Sequence, residues 1–174
     1  MSKPSRPSLP DNKFGVSRTF FVTTRTAGGR PLLQTEKMAV LFINVLRSYM
    51  KAGRFTVHDF VVMPNHVHLL ITVPRDATIE QAMHLIKGNF SFRAHRDLGF
   101  SSEIWQRGFS DVQIRDEQSF VEHRAYIEMN PVQAALSSSP EMYPFGTAYL
   151  KKMKCSGAQA PQNALMIGTT EVVP

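Results

Sequence analysis

Residues 55–73 carry two strand-length apolar runs separated only by Pro64 and Asn65. Phe55–Met63 and His66–Val73 are both rich in β-branched and aliphatic residues, and a Pro-Asn pair between such runs reads as a tight turn. This hairpin is the strongest constraint on the fold, because its second run alternates cleanly. Val67, Leu69, Ile71 and Val73 share one face and are wholly aliphatic, while His66, His68, Leu70 and Thr72 point the other way. A core lies on the first side, and two imidazoles project together from the second.

The flanking segments supply the other elements. Arg18–Arg25 is β-branched and aromatic, and Gly28-Gly29 closes it. Thr35 caps a helix in which Met38, Leu41, Phe42, Val45, Leu46 and Tyr49 recur at helical spacing up to Gly53. Thr78 with Gln81 forms a capping box for a helix reaching about Gly99. A short strand follows near Ser110–Arg115, and Asp116 caps a last helix that reaches Asn130, with core contacts expected from Phe120, Val121 and Ile127. The order β-α-β-β-α-β-α predicts an α+β fold: a ferredoxin-like, RRM-like antiparallel sheet with both helices on one face and an additional C-terminal helix. The second face, with the histidines, has no helix of its own in that scheme.

At 174 residues, with 43% hydrophobic and 10% aromatic content, the chain is one domain's worth of globular protein. Residues 1–16, with three prolines and three serines, read as a flexible N-terminal tail, 17–150 as the folded domain, and 151–174 as a basic, unstructured C-terminal tail. No apolar run is long enough to span a bilayer and no secretory signal core is visible, so the expectation is a cytoplasmic protein without membrane attachment. One cysteine, Cys155, excludes an internal disulfide and a multi-cysteine metal cage.

The net charge is +6. It is uneven: residues 1–58 hold ten Lys and Arg against Asp11 and Glu36, a balance of +8 that leaves −2 for the remainder. Such asymmetry points to a polyanionic partner, nucleic acid first. Lys87, Phe90, Phe92, Arg93, His95 and Arg96, then Trp105-Gln106-Arg107-Gly108-Phe109, interleave cations with rings. The aromatics Phe90, Phe92 and Phe109 read as core, and Arg25, Lys87, Arg93 and Arg107 as contacts to phosphates.

Two constellations bear on chemistry. His66 and His68, at i and i+2 on a strand, can place a ring nitrogen each on one metal ion. The spacing by itself fits as readily two half-buried histidines hydrogen-bonded to neighbours. Tyr126 and Asn130, at i and i+4, share a polar side of the last helix, and Asn130 before Pro131 suggests a break there.

Taken in order, MPNHVHLLI, IKGNFSFR, IWQRGFSDVQIRDEQSF and YIEMNPVQAAL resemble the REP-associated tyrosine transposases, relatives of the single-tyrosine HUH transposases that mobilise insertion sequences as single-stranded DNA. The resemblance runs from about Phe20 to Leu150. It implies that His66 and His68 are metal ligands, that Tyr126 is the nucleophile, and that Asn130 helps to hold the ion. It also implies Mg²⁺ or Mn²⁺ as cofactor, hairpin or single-stranded REP-like DNA as partner, a 5′-phosphotyrosine intermediate, and action as a monomer or homodimer. Ala134-Ala135-Leu136 departs from the family, whose members often carry glycine there. Two rival readings stay open at this point: a non-catalytic RNA-binding module stacking bases on its sheet, and a hydrolytic nuclease using a metal-bound water, for which Asp59 is the only nearby carboxylate.

Overall fold

The computed structural model describes residues 16–156. The N-terminal tail, apart from its last residue, and everything after Ser156 lie outside the described residues. The elements are β1 (Arg18–Arg25), α1 (Glu36–Lys51), β2 (Thr56–Val62), β3 (His66–Val73), α2 (Ile79–Leu98), β4 (Ser110–Ile114), α3 (Glu117–Gln133) and α4 (Thr147–Cys155), with short 3-10 turns at Ala27–Gly29 and Pro140–Met142.

The helix starts follow local chemistry. Thr78 Oγ1 accepts from the Gln81 amide at 3.2 Å and Gln81 Oε1 accepts from the Thr78 amide at 2.9 Å, so each satisfies a backbone donor the helix leaves free. Thr35 caps α1, and Asp116 Oδ1 accepts from Ser119 N at 2.7 Å to open α3. Gly99 closes α2 at φ 66°, a left-handed position where glycine carries no Cβ penalty.

The strands order β2-β3-β1-β4, every neighbouring pair antiparallel. This is the predicted ferredoxin-like sheet. Helices α1 and α2 cover one face, where Phe20, Val22, Val67, Leu69, Ile71 and Val73 are all at most 1% exposed. Phe42, Phe90 and Trp105 interlock above them, with ring centroids 5.2–5.8 Å apart. Full burial of each such ring contributes roughly 2–3 kcal/mol.

The other face is not bare: α3 lies across it. A smaller cluster of Val61, Met63, Leu70, Ile114, Ile127 and Tyr143 joins α3 to the sheet. Phe120 and Ile127 serve as expected, but Val121 is 54% exposed and faces away from the sheet. Nor does α3 stop at Asn130. It continues to Gln133 with Pro131 inside it, forgoing the helical hydrogen bond that an N–H there would donate. The chain then leaves through Ala135 at φ 55°, the one non-glycine residue with positive φ among those described.

The C-terminal boundary also moves. Residues 151–155, expected in an unstructured tail, form the end of α4. Its start is bound to the edge of β2: Thr147 Oγ1 accepts from Phe60 N at 2.8 Å, and Val62 N donates to Phe145 O at 2.9 Å. Leu150 packs against the core. Lys152 and Lys154 stand in its last turn, where cations complement the carbonyl end of a helix. A nine-residue helix held by tertiary contacts carries too little apolar repeat to be read from its own residues.

Candidate active site

The site is built where β3 begins. Asn65 shapes its entrance: its carbonyl accepts from Thr26 N, and its side-chain Nδ2 donates to Gly29 O at 3.3 Å. That bond orients the amide and leaves Oδ1 as an acceptor, 2.7 Å from His66 Nδ1. The His66 proton therefore sits on Nδ1, and Nε2 offers a lone pair. His68 Nδ1 is bonded to Thr23 Oγ1 at 2.8 Å, Thr23 being its partner across the β1–β3 ladder. Both rings are thus held through their Nδ1 atoms, which fixes their orientation and turns each Nε2 away from that bond.

The two imidazoles lie 4.8 Å apart between centroids. Tyr126 from α3 meets His68 edge to face at 5.3 Å. Phe21 on β1 underlies the group, touching His68 at 5.3 Å, His123 at 4.7 Å and Tyr126 at 5.8 Å. Asn130 is one helical turn beyond Tyr126, is 8% exposed and lies near enough to the His66 ring to influence its pKa. His66, His68, Tyr126 and Asn130, drawn from two distant stretches of chain, therefore converge on one spot. Tyr126 itself is 45% exposed, so its hydroxyl is open to a substrate.

The electrostatics favour neutral imidazoles. Burial, then the His66 ring and the Arg25 guanidinium, push the pKa of His68 down to about 3. His66 is lowered by burial and then by Arg25, with the nearby Asn130 side chain opposing. Neutral rings at physiological pH are what metal coordination requires. Among the described residues, no group of three or more His, Cys, Asp or Glu side chains is gathered around one point; the groups here that could offer donors are two imidazoles and an amide.

The four expected phosphate contacts separate. Arg25, exposed, lies opposite His66 in the ladder. Arg107 is exposed on the loop before β4, and that loop is drawn to the site by Gln106 N donating to Arg25 O at 2.9 Å. Lys87 is engaged elsewhere: its Nζ donates to Gln106 O and Gly108 O, both at 2.8 Å, and lies 5.9 Å from the Trp105 ring. Burial lowers its pKa. Lys87 thus holds the shape of the Arg107 loop. Arg93 sits on α2 beside Asp97 at 3.4 Å.

Residues with no expected role also shape the site. Phe21, Thr23 and Asn65 belong to it, and cross-strand register from β3 onto β1 is the signal that points to the first two. Asp59, the carboxylate considered as an extra ligand, is bound to Arg124 and Lys151 instead.

A sequence profile described as "Transposase IS200 like" matches residues 21–130, from Phe21 beneath the tyrosine to Asn130 beside His66. The chain belongs to that transposase family. It is 28% identical over 131 residues to the REP-associated tyrosine transposase of Escherichia coli (strain K12), covering 74% of this chain and 75% of that one. A Haemophilus influenzae protein assigned to the same kind of transposase is 27% identical over 128 residues, covering 66% of this chain and 73% of its own length. Among solved structures, a REP-associated tyrosine transposase bound to a REP hairpin superposes with a TM-score of 0.64 at 24% identity, covering 99% of this chain and 95% of that one. This IS200-like transposase therefore shares the fold of that structure. No helix among its described residues is long and apolar enough to cross a membrane.

Proposed function

We propose that this transposase cleaves and rejoins single-stranded DNA beside REP-like hairpins through a 5′-phosphotyrosine intermediate on Tyr126. The observation that carries the reading is the convergence of an exposed tyrosine with two neutral, oriented imidazoles and a buried amide. The hairpin preference is supported by the REP hairpin held by the protein of like fold.

The donor set fits a divalent ion, Mg²⁺ or Mn²⁺, with His66 Nε2, His68 Nε2 and the Asn130 amide oxygen as protein ligands and phosphate oxygens completing the shell. When bound, such an ion polarises the scissile phosphate and neutralises its developing charge. Tyr126 Oη attacks the phosphorus as the phenol loses its proton to solvent, and the 3′ oxygen takes up a proton from solvent as its bond to phosphorus breaks. A phosphotyrosine ester and a free 3′-OH result. The bond exchange is near-neutral in energy, so another 3′-OH can reverse it without ATP. Arg25 and Arg107 flank the site with positive charge suited to the strand on either side. Because Tyr126 stands against His68 of its own chain, the geometry favours attack within one subunit.

Both rivals fare worse. A module that stacks bases on an open sheet needs the face that α3 occupies, and a hydrolytic nuclease loses its one nearby carboxylate to Arg124 and Lys151. The test is a denaturing gel after incubation with matched single-stranded, hairpin and blunt duplex DNA. A covalent protein–DNA band with the first two substrates, absent with the duplex, is expected. Cut DNA without an adduct, or equal cutting of the duplex, overturns the reading.

A further inference from the structure

The tyrosine helix has little apolar attachment. On α3 only Ile127, Asn130 and Pro131 are buried, and on α4 no residue is. Besides the small apolar cluster under α3 and the hydrogen bonds at the start of α4, a carboxylate ties both helices to the sheet. Asp59 on β2 is 2% exposed. Its Oδ2 lies 3.1 Å from Arg124 Nε on α3, and its Oδ1 lies 2.9 Å from Lys151 Nζ on α4. A bulge in β2, where pairing passes from Val57 opposite Ile71 directly to Asp59 opposite Leu70, turns Asp59 toward these helices. A carboxylate this enclosed is costly without partners, and the two cations, 44% and 46% exposed, are the charged groups that meet it.

The position of Arg124 gives the bond a mechanical sense. Arg124 and Tyr126 are about 200° apart around the helix axis, with Ile127 between them facing the sheet. Asp59 therefore grips one flank of α3 while Tyr126 descends along the other to Phe21 and His68. Rotation of α3 about Ile127 would lift the phenol from the imidazoles, and the Arg124–Asp59 pair opposes that rotation.

We propose that Asp59 is the positioning residue for the nucleophile: by binding Arg124, and by holding α4 alongside through Lys151, it sets the rotation of α3 and so the place of Tyr126 over the histidine pair. This rests on the reading of Tyr126 as the nucleophile.

The test uses the full chain carrying Asp59→Asn, an uncharged substitution of equal size, and Arg124→Gln as a second route should the first fail to fold. Single-turnover adduct formation on hairpin-flanked single-stranded DNA should fall roughly 10- to 100-fold, as expected for a small misplacement of a reacting group. DNA affinity by fluorescence anisotropy should stay within about twofold, since neither residue contacts the expected phosphate path. The double variant should fall well short of the product of the two single losses, because both remove the shared Arg124–Asp59 pair. Hydrogen exchange supplies a readout independent of activity: amides of α3 should exchange faster in Asp59→Asn while those of α1 and α2 keep their protection. Unchanged α3 exchange, an equal loss of protection throughout the chain, or multiplicative losses in the double variant overturn the proposal. If the unsubstituted protein forms no adduct yet α3 alone loosens in Asp59→Asn, the reading of Tyr126 fails while the grip of Asp59 on the helix stands.

Discussion

The phenol of Tyr126 and the imidazole of His68 meet edge to face at 5.3 Å, one carried by a helix and the other by β3, an interior strand of the sheet. If this contact marks the reacting pair, Tyr126→Phe keeps the ring against Phe21 and His68 and removes only the oxygen. Covalent adduct should vanish, DNA binding should change less than about twofold, and stability should stay within roughly 0.5 kcal/mol. Residual adduct in this variant would place the nucleophile on Tyr49, Tyr143 or Tyr149.

Metal dependence should run through the histidine pair. His66→Ala and chelation of the unsubstituted protein should each lower cleavage by roughly 10²–10³-fold, the scale of losing one electrostatic contact to a transition state. His68→Gln should do the same while sparing the packing against Phe21, which His68→Ala would open at a cost of about 2–4 kcal/mol. Cleavage assays with and without EDTA check both; full activity in EDTA excludes the metal role.

The basic residues should divide by their engagement in the fold. Arg25→Ala and Arg107→Ala should each reduce the log–log salt slope of DNA binding by about one, as each removes one phosphate contact. Lys87→Met should change the slope by less than half that, because its ammonium is already given to Gln106 O and Gly108 O. Its cost should appear instead as faster exchange in the loop bearing Arg107. Equal slopes for all three would return Lys87 to the phosphate path.

Ala135 holds a left-handed backbone at φ 55° directly after α3. A side chain there is strained by about 1–2 kcal/mol, part of which glycine returns as chain entropy in the unfolded state. Ala135→Gly should therefore stabilise the protein by about 0.5–1 kcal/mol, seen as a Tm increase of roughly 1–4 °C. A decrease in Tm would show that the turn is unstrained.

Tyr143 links stability to alkaline pH. Burial raises its pKa to about 12, and its hydroxyl donates to Val62 O at 2.8 Å. Its unfolded value is near ~10, so above that pH the unfolded chain releases a proton that the folded chain retains, and stability falls as pH rises from 10 to 12. The loss should reach about 2–3 kcal/mol by pH 12. Tyr143→Phe should be less stable at neutral pH by about 1 kcal/mol yet lack this slope. Parallel denaturation curves for the two proteins across pH 9–12 would exclude the linkage.

Much of the fold is legible because its signals are local. The capping box of Thr78 and Gln81 and the alternation of His66–Val73 each act within a few residues, and the structure reproduces both. So is the core of the site, since one face of a strand necessarily presents His66 and His68 together. What escapes local reading depends on distant partners. Pro131 looks like a stop, yet α3 runs through it to Gln133. Lys87 looks like a phosphate ligand until two carbonyls from the next loop are seen to occupy it. Helix α4 has no strong periodicity because β2, Asp59 and Leu150's neighbours hold it in place. Asp59 itself carries no mark in the sequence that distinguishes it from a solvated carboxylate.

The bulge at His58 sets the parity of β2. Strand residues alternate between faces, so the extra residue shifts the count by one from Asp59 onward relative to β3. His58 and Asp59 then both turn toward α3, where His58 Nε2 reaches Thr72 Oγ1 at 2.7 Å and its ring meets Phe120 at 5.2 Å. Were His58 deleted and the loop ahead of β2 to absorb the shift, nothing in this half of the strand would need to change. Were the ladder instead paired without the bulge, Asp59 would stand opposite Leu69 and drive its charge into the aliphatic layer beneath α1 and α2. Odd or even, counted from Val57, decides whether one carboxylate serves the tyrosine's helix or poisons the core on the opposite side.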